Sequence, residues 1–197
     1  MVVIDFGPMR RGEVSLQHLA AGLSRNDLAK LTQEMCAQQL ELIQDAKDED
    51  VVFVPDDPDA NDTFAAVAED VGLSWTLGHV VVHATASSEE SAALALTLAR
   101  GLSVDGRSRF EVPWRDATSA VFLRQRIQES LRMRLSMLAA WPNEPHLENF
   151  YAPYKERPPM NALGRFLGGL AHDDSHLEQI RKIMVQARQR RAVRSEG

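Results

Sequence analysis

The sequence predicts an all-α protein, a four-helix bundle. Three observations carry that reading. Four long stretches place apolar residues at helical spacing. The one β-branched run, Val51-Val52-Phe53-Val54, has no clear partner strand. Clusters of Pro, Gly and Asp separate the periodic stretches and supply their ends.

The first helix is expected from Ser24 to Ala46, with Ser24 or Asn26 as cap and Leu28, Leu31, Met35, Leu42 and Ile43 on one face. The acidic stretch Asp45–Asp50 closes it poorly, because carboxylates at a helix C-terminus oppose the dipole. Residues 51–54 read as an extended segment lying on the bundle, and Asn61–Glu69 as a short helix. The second helix starts at Ser74 or Thr76 and runs to about Leu102, with stop signals at Gly101 and Gly106. The third starts near Asp116 or Thr118 and ends at Trp141-Pro142. Its stripe is Val121, Leu123, Ile127, Leu131, Leu135 and Leu138, with Arg124, Arg126, Arg132 and Arg134 on other faces. Asn143–Pro159 holds too many prolines for a helix and reads as an aromatic-bearing loop. The fourth helix is expected from about Met160 to Gln189, with a basic tail that suits a helix C-terminus.

The 197 residues are expected to form a single domain, with its core at about 24–187 and both termini peripheral. A net charge of −6 argues against a nucleic-acid partner. No apolar run approaches membrane-spanning length, and the N-terminus does not read as a signal peptide. The lone Cys36 excludes an intrachain disulfide, suits a cytoplasmic location and reads as a small core residue. A homodimer through an exposed helical face is a further expectation.

The chemistry lies in two histidine pairs, His79/His83 and His172/His176. Residues at i and i+4 share one helix face, so each pair can present two imidazoles to one metal ion. Both pairs fall on the flank of their apolar stripes, where a helix faces a neighbour near a groove. Asp173, Asp174 and Glu178 stand near the second pair as candidate acceptors for imidazole N–H groups or as ordinary solvated charges. There is no Gly-rich phosphate loop, His-Glu-x-x-His run or nucleophile elbow.

The segment Trp75-Thr76-Leu77-Gly78-His79-Val80-Val81-Val82-His83-Ala84 resembles the second-helix signature of the DinB-like superfamily. In that signature Trp-Ser/Thr opens the helix and a His follows eight residues after the Trp, which here is His83. His172-x-x-x-His176-x-x-Gln179-Ile180 is similar to the family's C-terminal motif, and the resemblance spans about residues 24–187. It implies a four-helix bundle with a long crossover connection and one divalent metal, zinc or nickel, held by His83, His172 and His176. It also implies a thiol-dependent S-transferase or isomerase, related to maleylpyruvate isomerase, that uses a low-molecular-weight thiol such as mycothiol or bacillithiol on an electrophilic substrate.

His79 is extra to that pattern and is expected beside the ligands or at the surface. Arg132, Arg134, Tyr151 and Tyr154 are candidates for the substrate pocket. Two other readings stand beside the transferase. One is a metal-activated hydrolase with His79, Asp173 or Glu178 as base. The other is a non-catalytic metal-binding stress-response or interaction protein.

Overall fold

The computed structural model describes residues 3–62, 67–152 and 158–195, with the side chain of Ser195 outside that set. Among the described residues the chain is all-α: helices and short helical turns, with no strand. Tyr151 and Met160 exchange a single pair of backbone hydrogen bonds at 2.9 Å. No helix of the described residues is long and apolar enough to cross a membrane.

Two short helices come first, α1 (Gly7–Arg10) and α2 (Leu16–Leu19). The N-terminal segment is not peripheral as expected. Phe6 and Ala20 are buried in the core, and α2 packs on the last helix. Ser24 then caps α3 (Arg25–Leu42) in a reciprocal capping box with Asp27.

Helix α3 stops a turn before the expected Ala46, and the physical reason is electrostatic. The acidic run forms its own helical turn, α4 (Asp48–Val51), and meets the basic end of the last helix. Arg188 pairs with Asp45 at 2.5 Å, Arg191 with Asp50 at 2.6 Å and Arg194 with Glu49 at 3.0 Å. These pairs accompany a last helix that extends beyond the expected Gln189. Val51 ends α4 and is fully buried rather than extended. Of the helix expected at Asn61–Glu69, residues 63–66 lie outside the described residues, and a 3-10 turn covers Ala68–Asp70.

Helix α5 (Leu77–Ala99) is capped by Thr76, whose Oγ1 accepts from the His79 backbone N–H at 3.2 Å. A 3-10 turn at Trp114–Asp116 leads into α6 (Ala120–Ala139), capped by Ser119 rather than Asp116 or Thr118. Helix α7 (Ala162–Ser195) begins where Asn161 Oδ1 accepts from the N–H groups of Leu163 and Gly164. Such caps are each worth about 1 kcal/mol.

Helices α3 and α5 each pack on both α6 and α7, so residues 43–76 connect two helices that share the same neighbours. The core falls into two apolar clusters. One surrounds Phe166, Leu167, Leu98 and Trp141, and the other Val80, Leu123, Ile127 and Met184.

The tightest joint lies between α5 and α7. Ser88 Oγ donates to the Gly169 carbonyl at 3.0 Å. A Cβ at Gly169 would stand 2.9 Å from Ser88 Cβ and 3.2 Å from Ser88 Cα. Gly169→Val is therefore expected to pry these helices apart and to cost about 1–3 kcal/mol, as overpacking of a close joint does. A lower denaturant midpoint in urea checks it; an unchanged midpoint contradicts it.

Candidate metal centre

The close joint at Gly169 sits one turn before His172, and Ser88 sits just over one turn after His83. The antiparallel approach of α5 and α7 thus brings their histidines into register. His83 comes from α5, and His172 and His176 from successive turns of α7. Their ring centroids lie 5.0 Å (His83–His172), 5.3 Å (His83–His176) and 4.7 Å (His172–His176) apart. One ring nitrogen from each lies within 4.8 Å of the other two.

His83 Nε2 and His172 Nε2 are 3.2 Å apart. Two nitrogens bound tetrahedrally to zinc at its usual bond length would be about 3.3–3.4 Å apart. The two imidazoles on α7 are also held in the form that binds metal. Burial, aided by the neighbouring His176 and His83, pushes His172 down to about 3. Burial likewise lowers His176. Neutral imidazole is the form that binds metal. Gln179 Oε1 lies 2.8 Å from His176 Nδ1, an acceptor that favours a proton there and leaves Nε2 free. The buried Nδ1 of His172 has no hydrogen-bond partner among the described residues. The donor set fits a divalent cation.

His79 belongs neither to this ligand group nor to the surface. It is buried in an aromatic stack, with its ring 4.1 Å from Trp75 and 5.0 Å from Trp114. Gly78 permits the stack, because a Cβ there would stand 2.5 Å from the Ala117 carbonyl oxygen of the segment that carries Trp114. Burial lowers His79 to about 4. Trp75 also meets His83 edge-on at 4.7 Å and lies 5.9 Å from His176, so one indole contacts His79 and two of the three grouped histidines. Beside it opens a cavity of about 270 Å³, lined by Asp57, Asp59, Asp62, Trp75, His176 and Gln179 among others.

The other expected site residues go elsewhere. Asp173 is next to His172 in sequence, but one residue is a 100° step around a helix. Its carboxylate enters the core and pairs with Arg134 at 2.6 Å, both groups being essentially fully buried. Arg134 also donates to Cys36 Sγ at 2.7 Å and to the Ser130 carbonyl at 3.4 Å. Two residues expected to serve the site therefore pair with each other across α6 and α7. Cys36 is raised to about 11, chiefly by burial, and is an inert thiol at neutral pH.

Glu178 is exposed and pairs with Arg181, away from any ligand imidazole. Arg132 is exposed and pairs with Glu129 at 2.6 Å. Tyr151 packs on the cluster around Phe166 and pairs its backbone with Met160, near the start of α7. His172 lies ten residues into α7, about 15 Å along the axis from its start. Tyr154 lies outside the described residues.

Two residues at the centre carry no sequence signal. Arg109 Nη2 is 3.3 Å from His83 Nδ1, and Glu111 Oε2 is 3.6 Å from the same atom. Burial pushes the Glu111 carboxyl up, but His83 and Arg109 outweigh it and hold the group at about 2. Both residues lie in the connection between α5 and α6, where no periodicity marks them. Gln179 was visible in the C-terminal motif, though its role as the partner of His176 was not.

An all-α chain whose antiparallel helices bring three imidazoles together defines a class of helical proteins with a site that can hold a metal ion. Residues 17–180 match the DinB superfamily model, and the chain belongs to that superfamily. No curated protein and no solved structure matches it.

Two outcomes follow from these buried groups. Arg134→Met strands the Asp173 carboxylate and is expected to cost about 3–5 kcal/mol, while the double variant with Asp173→Leu recovers most of it. Urea denaturation of the singles and the double measures this, and an additive double would contradict it. The second outcome concerns pH. His79 is near 4 when folded and 6.5 when free, so in that window the unfolded chain binds a proton that the fold refuses. Stability should therefore fall as pH drops from 6.5 toward 4, with His79 contributing on the order of 3 kcal/mol at most. His79→Phe keeps the ring stack and should make that slope shallower in melts at pH 7 and pH 4.5, leaving the part that His172 and His176 contribute; an unaltered slope counts against it.

Proposed function

We propose that the protein is a metal-dependent thiol S-transferase that joins a low-molecular-weight thiol to an electrophilic carbon. The observation that carries this reading is the convergence of three imidazoles, one of which, His176, lines an open cavity. Three protein ligands beside solvent space is the pattern of a catalytic centre, because a structural site is closed by four. His83, His172 and His176 would hold one divalent ion, zinc or nickel. When bound, that ion supplies a Lewis acid whose open position favours a thiolate over a thiol at neutral pH.

The rest is done by the chain itself. Gln179 keeps the His176 ring turned so that Nε2 faces the centre. Trp75 packs against the His83 and His176 rings and walls the cavity, fixing those rings and limiting water on that side. Asp57, Asp59 and Asp62 line the same space, and among the described residues no Arg or Lys lines it with them. That wall suits a thiol or electrophile bearing hydroxyl, amide or ammonium groups and disfavours one with several carboxylates. Mycothiol, a sugar-based thiol, fits this wall better than the carboxylate-bearing bacillithiol. In the reaction the sulfur forms a bond to carbon, the leaving group departs with the electron pair of the broken bond, and the thiol proton passes to solvent.

Protein reconstituted with zinc or nickel should bind about one ion per chain, and His83→Ala and His172→Ala should each lose it. With a model aryl halide and a sugar-based thiol, the loaded protein should conjugate at least tenfold faster than the metal-free protein. Metal uptake without any thiol-dependent rate would overturn the transferase reading. Hydrolysis of esters or amides without thiol would favour the hydrolase instead.

A further inference from the structure

His83 has two neighbours of opposite hydrogen-bonding character on the same ring nitrogen. Arg109 Nη2 stands 3.3 Å from Nδ1, and a guanidinium only donates. Glu111 Oε2 stands 3.6 Å from that atom, and a carboxylate only accepts. Across the ring, Nε2 lies 3.2 Å from His172 Nε2. A neutral imidazole carries one proton, so it can satisfy these neighbours in only one of two ways.

With the proton on Nε2, His83 donates to His172 and accepts from Arg109, and this matches the shorter of the two Nδ1 contacts. In that tautomer the Nε2 lone pair is absent, and His83 is not a ligand through that nitrogen. With the proton on Nδ1, Nε2 is free to face a cation together with His172. The Nδ1–H then needs an acceptor, and Arg109 cannot be one. Glu111 can, after an approach of less than 1 Å to ordinary hydrogen-bond distance.

We propose that Glu111 is the positioning residue for the metal centre: it accepts the Nδ1 proton of His83 and so fixes the tautomer that presents Nε2. Arg109 is its rival and holds the ring in the other tautomer. The inference rests on the reading of His83, His172 and His176 as metal ligands.

Arg109 can give way at small cost, because it has other anchors. Its Nη1 donates to Ser87 Oγ at 2.6 Å and lies 3.7 Å from the buried Glu90 carboxylate. Ser87 and Glu90 follow His83 at one and two turns on the same face of α5, so the guanidinium lies along that face. It also keeps its ion pair with Glu111, which both arrangements share. The exchange moves one proton between the two nitrogens of one ring and leaves the net charge unchanged.

The test measures zinc affinity by competition with a chelator in the full chain and in three variants. Glu111→Leu removes charge and acceptor, and affinity should fall 10- to 100-fold. Glu111→Gln removes the charge but keeps an acceptor oxygen, and it should recover at least half of that loss on a logarithmic scale. Arg109→Met should leave affinity equal or higher, although it breaks the same ion pair. Nitrogen-15 NMR of the zinc-loaded protein should show the His83 proton on Nδ1.

Equal losses in Glu111→Leu and Glu111→Gln would reduce Glu111 to a nearby charge and overturn the proposal. Loss of affinity in both Glu111→Leu and Arg109→Met would mean that the ion pair merely holds the loop, and would also overturn it. If Glu111→Leu does not fold, the Glu111→Gln and Arg109→Met affinities and the ring spectrum decide. Wild-type protein that takes up no zinc or nickel would instead sink the metal reading and this inference together.

Discussion

The close packing of α5 against α7 is the constraint on which the rest depends. Gly169 has no side chain to keep Ser88 away, and the Ser88 hydroxyl ties the two backbones where they touch. At that separation His83 meets His172 and His176 across the joint. Wider spacing would leave two imidazoles on α7 and one out of reach. The joint also covers much of the His172 and His176 rings, and that burial favours their neutral form. Packing geometry and ligand chemistry therefore share one cause.

Around this joint the polar groups sort by what they face. Arg134 and Asp173 face inward and close on each other, with Cys36 beside them. A fully buried pair of this kind adds little net stability but fixes how α6 and α7 meet, since either charge alone is costly. Arg188, Arg191 and Arg194 face outward and seat the end of α7 on the acidic turn after α3. Asp57, Asp59 and Asp62 face the cavity and set its sign. The chain's negative charge is thus partly gathered beside the candidate site.

The long helices were legible in the sequence because apolar spacing is a local signal, and so were their caps at Ser24 and Thr76. The histidine group was legible for a related reason: i, i+4 pairs on two helices can meet if the helices do. Facing was harder to read. Asp173 is one residue from a ligand yet points a quarter turn or more away, and Arg134 read as a pocket candidate because its buried partner lies 39 positions further on. Arg109 and Glu111 were invisible, since a connecting loop has no periodicity to place its side chains. The end of α3 and the reach of α7 were misjudged because both follow from ion pairs between segments far apart in sequence.

X-ray absorption on the zinc-loaded protein, with and without thiol, tests the central claim most directly. Three imidazole nitrogens and one further light atom are expected without thiol. On addition of thiol a sulfur should replace that light atom at about 2.3 Å, the usual zinc–sulfur distance. A centre with fewer than three imidazoles, or one that never admits sulfur, would contradict a three-histidine site built to bind a thiol.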